Sequence, residues 1–275
     1  MASTASASTT DIPKDAEEAS VLSSISLQNL TILEAWDAEN DTPEYITFYH
    51  VTKDEEVYFG QSTKKKREMT IEDYRNALCR IDDSEIYPEV PADTKLKIAH
   101  HDAGEPIYIK RPGLESYETT KGTDFARNAL LDEVLIMEQI SQTPHPNIIR
   151  YHGCYTRRGR ITAIVLQRHE YTLVQYAQNP GFKNIDIDEF LKALESAVAY
   201  LHAIGLAHND INPYNIMLKE NDAPVLIDFG SCQPFGRQLR SAGTPGWCAE
   251  PFSTSEKEHD IYPLRKLKTW LLKPE

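Results

Sequence analysis

Two short motifs between residues 208 and 230 constrain the fold of this chain more than any other feature of its sequence. The first contains Asp210 and, five residues later, Asn215. The second is the triplet Asp228-Phe229-Gly230, which follows a short apolar run. Carboxylate and amide oxygens are ligands that Mg²⁺ prefers, and a carboxylate can also accept a proton from a hydroxyl group. The ordered pair of motifs therefore predicts a catalytic and metal-binding site, whereas each residue alone more commonly stabilises a turn.

The composition and net charge restrict the kinds of partner that this chain is expected to bind. The chain has 275 residues, a formal net charge of −13 and 40% hydrophobic residues. This length fits one two-lobed domain, or one domain with an arm. We expect no nucleic-acid or membrane partner, because binding to phosphate groups needs a basic surface and no apolar run is long enough to span a bilayer. Four widely spaced cysteines favour free thiols, and hence a cytoplasmic or nuclear location.

From about residue 107 onward, the order of motifs resembles that of the protein kinase family. Residues 208–215 resemble its catalytic loop, and residues 228–230 match its metal-binding triplet. The family's third strand, which ends in a lysine, is similar to residues 107–110, and its His-Pro-Asn-Ile turn is present at 145–148. The resemblance implies an α+β, two-lobed protein kinase-like fold, with a small β-rich N-lobe and an abbreviated helical C-lobe.

On this basis the chain divides into four segments. Residues 1–26 are small and polar and predict a disordered tail. Residues 27–106 would form an N-terminal extension and a divergent first part of the N-lobe, residues 107–166 the N-lobe core, and residues 167–275 a C-lobe truncated after its central helix. The expected elements are strands over 45–49, 57–59 and 106–110, and helices over 71–81, 124–140 and 188–202.

The resemblance also implies the chemistry of individual residues. Asp210 would be the base that accepts the proton of a hydroxyl group. Lys110 would hold the α- and β-phosphates of ATP, and Glu133 would pair with Lys110. Asn215 and Asp228 would bind Mg²⁺. The implied function is ATP-dependent phosphorylation of a protein substrate, with serine or threonine as acceptor.

Further roles follow from the same resemblance. Thr244 would bond to Asp210, and Asn212 occupies the place of a lysine that assists the γ-phosphate in serine/threonine kinases. Asp260 would anchor the catalytic loop. The residues expected to line the nucleotide pocket, besides Lys110, are Tyr108, Leu166, Arg168, His169 and Met217. The residues expected to stack into a buried spine are Met137, Tyr151, His208 and Phe229.

Several positions depart from the family pattern. Asn209 replaces an arginine that receives a phosphate on the activation loop, so we expect no activation by phosphorylation of that loop. Asn212 replaces a lysine, and Tyr108 replaces an alanine that lies flat over adenine. No glycine-rich loop precedes Lys110, and the Ala-Pro-Glu motif is rearranged at residues 249–251.

Three functions remain open at this point: an active serine/threonine kinase, a pseudokinase that acts as a binding or scaffold module, and a phosphotransferase of kinase-like fold that acts on a small molecule. All five groups needed for phosphoryl transfer are present in the sequence, which favours the active kinase.

Overall fold

The computed structural model describes residues 14–37, 42–100, 104–115, 117–241 and 243–274. The chain forms two compact units. We call Met1–Glu85 with Leu114–Lys121 the accessory unit, and Ile86–Gly113 with Gly122–Glu275 the main unit. Among the described residues, no helix has both the length and the apolar composition that a membrane span requires.

The accessory unit is built on an antiparallel meander of four strands in the order β1-β2-β3-β4. The strands are β1 (Thr31–Asp37), β2 (Thr42–Val51), β3 (Val57–Ser62) and β4 (Cys79–Arg80), and the helices are α1 (Lys14–Ser24), α2 (Ile71–Ala77) and α4 (Tyr117–Thr120). A further helix, α3 (Asp83–Ile86), spans the boundary between the units. Short 3₁₀ helices cover Leu27–Asn29 and Lys66–Glu68.

A small aromatic core holds the accessory unit together. Phe48 and Tyr74 pack edge to face with ring centroids 4.8 Å apart, and Tyr58 is buried beside them. Gly60 permits this packing, because an added Cβ would lie only 2.5 Å from the Phe48 ring. Thr70 caps the start of helix α2: its side chain accepts a hydrogen bond from the Asp73 backbone N–H, so the cap places Tyr74 over the sheet.

One of the expected segments, the disordered tail over residues 1–26, differs from the structure. Part of the expected disordered tail is helix α1, since Lys14–Ser24 is helical and Ile25 after it is fully buried. Val21 and Leu22 pack on the core of the accessory unit, which explains why this part of the tail is ordered. Residues 1–13 lie outside the described residues. Of residues 27–106, expected to form an N-terminal extension and a divergent first part of the N-lobe, residues 27–85 belong to the accessory unit and residues 86–106 to the main unit.

The main unit begins with three antiparallel strands and one long helix. The strands β5 (Ile107–Lys110), β6 (Tyr151–Arg157) and β7 (Arg160–Gln167) form a sheet in the order β5-β7-β6, and helix α5 covers Phe125–Ser141. The residues that α5 buries recur three and four positions apart, as expected for a helix with one apolar face. Residues 86–100 add isolated bridges to this sheet, at Glu89 and Ile98.

The remainder of the main unit is mostly helical. Its helices are α6 (Leu173–Tyr176), α7 (Ile187–Ala203) and α8 (Glu258–Leu272), with 3₁₀ turns at Pro180–Asn184 and Pro213–Asn215. Its short strands are β8 (Leu206–Ala207), β9 (Ile216–Leu218), β10 (Pro224–Leu226) and β11 (Gln233–Pro234). The order of a β-rich part followed by helices confirms the α+β, kinase-like fold that the sequence predicts. The helix expected over 71–81 is shorter, because β4 pairs with β3 from Cys79 onward.

Candidate active site

Three charged side chains converge between β5, α5 and the segment after β10. Lys110 Nζ lies 2.7 Å from Glu133 Oε1 and 2.8 Å from Asp228 Oδ1. Glu133 lies in the apolar stripe of α5 and is therefore buried. The structure thus contains the ion pair between Lys110 and Glu133 expected from the sequence, and it adds Asp228 as a second partner.

The three groups shift one another's pKa values. Burial alone would lower the pKa of Lys110, but the adjacent carboxylates of Glu133 and Asp228 raise it above its usual range. Burial raises the pKa of Glu133, and Lys110 opposes that shift. The Lys110 ammonium outweighs the effect of burial at Asp228 and lowers the pKa of that carboxyl. Lys110 and Asp228 are therefore held in their charged forms.

The two oxygens of Asp210 have different surroundings. Oδ1 accepts hydrogen bonds from the Thr244 N–H at 2.8 Å, from Thr244 Oγ1 at 2.7 Å and from Asn212 Nδ2 at 3.1 Å. Oδ2 accepts one bond, from Asn215 Nδ2 at 2.9 Å. Because Oδ1 is occupied by three donors, Oδ2 is the atom that retains capacity to accept a proton from a substrate hydroxyl group.

Residues 208–215, which we call the Asp210 loop, are anchored by a fully buried carboxylate on α8. Asp260 accepts hydrogen bonds from the His208 N–H at 2.9 Å and from the Asn209 N–H at 2.8 Å, and His202 Nε2 lies 2.9 Å from it. Two residues of the site, Asn209 with φ of 63° and Asp228 with φ of 60°, have left-handed backbone conformations. Asparagine and aspartate adopt this region at lower cost than most residues, so the anchoring bonds can maintain it.

Asn209, a neutral side chain where the family has an arginine, is buried and forms a network of hydrogen bonds. Its Nδ2 lies within 3.0 Å of the carbonyl oxygens of Ala207 and Ser231 and of Ser255 Oγ. Its Oδ1 lies 3.2 Å from His259 Nδ1. These hydrogen bonds join the Asp210 loop to the segment after Asp228.

The four residues expected to form a buried spine are all at most 4% exposed: Met137, Tyr151, His208 and Phe229. The rings of His208 and Phe229 pack edge to face with centroids 5.1 Å apart. His208 Nε2 also lies 3.0 Å from the Ile227 carbonyl oxygen. The packing of these rings fixes the backbone on both sides of the site.

The donor set at the site suits a magnesium ion that is shared with phosphate groups. Asn215 uses its Nδ2 to bond Asp210, which leaves its amide oxygen for a cation, and Asp228 offers a carboxylate. In the described part of the chain, no three His, Cys, Asp or Glu side chains form a metal-binding cluster. Mg²⁺ is commonly bound by one or two protein ligands together with phosphate oxygens and water, so this sparse set fits the ion.

The residues expected to line the nucleotide pocket lie near one end of the β5–β7 pair or on β9. Tyr108 is opposite Leu166 in the sheet, and its side chain is 55% exposed. The Arg168 N–H continues the pairing by donating to the Pro106 carbonyl oxygen. Burial lowers the pKa of His169, and Met217 lies on β9. Tyr108 therefore presents its ring to solvent and not to the core of the main unit.

Two contributors to the site have no motif in the sequence. Ser255 is fully buried and receives a bond from Asn209. Arg240 donates to Asp132, the residue before Glu133, although the two are 108 positions apart. The main unit also lacks a strand hairpin over the site, because β5 is an edge strand within the described residues.

Comparison with known proteins agrees with this geometry. The protein kinase domain family matches residues 94–262. The human serine/threonine-protein kinase/endoribonuclease IRE2 is 33% identical over 131 residues, which is 42% of this chain and 14% of that protein. The sperm motility kinase Tcr mutant form of Mus musculus is 31% identical over 137 residues, which is 48% of this chain and 28% of that protein. The serine/threonine-protein kinase Tao of Drosophila melanogaster is 30% identical over 126 residues, which is 44% of this chain and 11% of that protein. The matched regions cover less than a third of each of these relatives.

Proposed function

This chain belongs to the protein kinase domain family, and we propose that it transfers the γ-phosphoryl group of ATP to a hydroxyl group of a protein substrate. The observation that carries the proposal is the convergence of Lys110, Glu133 and Asp228 within 2.8 Å, together with an Asp210 oxygen that remains free to accept a proton. The four free cysteines support our proposal of a reducing location, in the cytoplasm or the nucleus.

Each residue has a separate part in this chemistry. Lys110, aimed by Glu133, would bind phosphate oxygens of the substrate ATP. Asp228 and Asn215 would hold Mg²⁺, which neutralises the charge of the phosphates. Asp210 would orient the acceptor hydroxyl and take its proton on Oδ2. Since phosphoryl transfer is largely a matter of positioning and charge stabilisation, these groups account for the principal requirements of the reaction.

Serine or threonine is the acceptor that we propose. Thr244 reaches Asp210 through both its backbone and its hydroxyl group, the contact expected for serine/threonine kinases. Asn212 also donates to Asp210, and its Nδ2 lies 3.0 Å from Thr244 Oγ1. Since Asn212 is neutral, it orients the base but adds no positive charge near the γ-phosphate. We therefore expect a low turnover rate.

A pseudokinase is the second candidate, and one observation favours it. Within the described residues nothing pairs with the outer edge of β5, so the main unit has no hairpin that would cover the phosphates of ATP. A module that binds partners without turnover would retain the same fold and the same buried ion pair.

The experiment that separates the two candidates measures binding and turnover in the same full-length preparations. Binding is followed by titration of a fluorescent ATP analogue with Mg²⁺, and turnover by phosphate incorporation from labelled ATP. We expect Asp228→Ala to abolish both, because it removes the carboxylate that would hold Mg²⁺. Asp210→Ala should retain binding and lower turnover by about 10²- to 10⁴-fold, the usual contribution of a general base.

Asp93→Ala is the matched control, because Asp93 is exposed and has no hydrogen bond or ion pair within the described residues. It should behave as the unaltered protein. Binding without any phosphate incorporation in the unaltered protein would replace the kinase proposal with the pseudokinase. Equal loss of binding in the Asp210 and Asp228 variants would show that the two roles are wrongly divided.

A further inference from the structure

Arg240 joins the segment after Asp228 to helix α5. Its Nε and one terminal nitrogen lie 3.0 and 2.9 Å from the same oxygen, Asp132 Oδ2. The two side chains are 34% and 21% exposed, so the ion pair is partly shielded from water. Charge-assisted hydrogen bonds of this kind are stronger and more directional than neutral ones.

Because Asp132 directly precedes Glu133 on α5, its contact with Arg240 affects the pair of Glu133 and Lys110. Asp132 and Glu133 are neighbours on α5, and successive side chains of a helix point about 100° apart. Glu133 therefore reaches Lys110 while Asp132 reaches Arg240 in a different direction. A rotation or a displacement of α5 that breaks the pair with Lys110 would also strain or break the pair with Arg240.

The segment that carries Arg240 is itself fixed on both sides. Near its start, the Ser231 carbonyl oxygen accepts a bond from Asn209, and the Ser231 and Ser241 hydroxyl oxygens lie 3.0 Å apart. At its end, Thr244 bonds to Asp210. Arg240 therefore attaches α5 to a segment whose ends are held by the Asp210 loop.

We propose that Arg240 is a positioning residue, which holds α5 through Asp132 so that Glu133 and Lys110 pair without a phosphate on the segment. The inference rests on the proposed function for its catalytic consequence. Asn209 offers no positive charge to a phosphate, since its side chain is neutral and is used in the network with Ser255. The ion pair between Arg240 and Asp132 would supply the fixed contact that a phosphorylated segment supplies elsewhere.

Charge reversal tests the pair directly. Arg240→Glu places two carboxylates together, and the double variant Arg240→Glu/Asp132→Arg restores an opposite-charge pair. Hydrogen exchange of peptides from residues 125–141, measured without nucleotide, reports the local stability of α5. We expect exchange about tenfold faster in Arg240→Glu, and a return to within about threefold of the unaltered protein in the double variant.

Arg237→Glu is the matched control. It makes the same charge change three residues away, and the Arg237 side chain has no hydrogen bond or ion pair within the described residues. Exchange in α5 should not change in this variant. Arg240→Lys keeps the charge but cannot donate two bonds from a planar group, and we expect an intermediate result.

Phosphate incorporation in the same variants gives the catalytic readout. We expect kcat to fall about tenfold in Arg240→Glu with little change in the KM for a peptide acceptor, and to recover in the double variant. Faster exchange that the double variant reverses would support the inference even if no preparation had kinase activity, so the two proposals can fail separately. Equal exchange in Arg240→Glu and Arg237→Glu, or no recovery in the double variant, would overturn it.

Discussion

Replacing Asn209 with alanine removes a neutral side chain that joins three parts of the main unit. The amide group of Asn209 has two N–H donors, which serve the carbonyl oxygens of Ala207 and Ser231 and the hydroxyl group of Ser255. The loss of two buried hydrogen bonds costs about 2 kcal/mol. The φ of 63° adds about 1 kcal/mol, because alanine tolerates the left-handed region less well than asparagine. Asn209→Ala should therefore lower the free energy of unfolding by about 3 kcal/mol.

Asn209→Gly separates the two contributions, since glycine accepts this backbone conformation. We expect it to lower the free energy of unfolding by about 2 kcal/mol. Urea unfolding followed by tryptophan fluorescence in a Trp36→Phe background measures the main unit, because the two remaining tryptophans, Trp247 and Trp270, belong to it. Asn221→Ala, at an exposed turn, is the control and should stay within about 0.5 kcal/mol of the parent.

The result that would refute this reasoning is a loss of less than about 1 kcal/mol in Asn209→Ala, since that value is below the cost of two buried bonds. A glycine variant less stable than the alanine variant would contradict the assigned backbone contribution.

Three further predictions concern other parts of the chain. Hydrogen bonds from Lys64 and from Thr70, the capping residue of α2, lower the pKa of Asp73 to about 2. The ionised Asp73 therefore stabilises the fold above the unfolded pKa of about 3.9, and this stabilisation is lost as the pH falls through 2. An NMR titration should show a higher Asp73 pKa in Lys64→Ala. Tyr108→Ala should leave the affinity for a fluorescent ATP analogue similar or weaker, and marked tightening would favour the pseudokinase. Tyr117→Phe removes the 2.7 Å bond to Glu85 and should destabilise the accessory unit by about 1 kcal/mol, measured by hydrogen exchange of peptides from that unit, whereas Tyr117→Ala should cost about 3 kcal/mol or more.

The sequence predicts the fold and the residues that meet at the site because these features are encoded at short range. Asp210 and Asn215 are five positions apart on one loop. Lys110 is the last residue of a short run, 107–110, whose apolar and aromatic residues indicate a strand. The contact between Lys110 and Glu133 joins two such local patterns, and the resemblance to the protein kinase family predicted it. The roles assigned to these residues in nucleotide and metal binding stay predictions.

The accessory unit could not be predicted in the same way. The strands β2 and β3 were expected from two strand-like runs around a polar turn, but the burial of Ile25 and the inclusion of 114–121 depend on contacts between distant parts of the chain. Tyr117, for example, packs against Phe59 with ring centroids 4.9 Å apart. Neither residue lies in a recognisable motif. The pair of Arg240 and Asp132 was missed for the same reason, because a charge in a polar stretch does not indicate its partner.

The site contains more acidic than basic side chains. Three acidic side chains, those of Glu133, Asp228 and Asp210, stand against one ammonium group, that of Lys110, so acidic groups are in excess at the site. The family's cationic residues at positions 209 and 212 are neutral amides here, which orient the Asp210 loop but do not offset this excess. An anionic nucleotide would be repelled unless divalent cations accompanied it. We therefore expect nucleotide affinity to depend steeply on the Mg²⁺ concentration, measured by titrating the fluorescent ATP analogue at several Mg²⁺ concentrations.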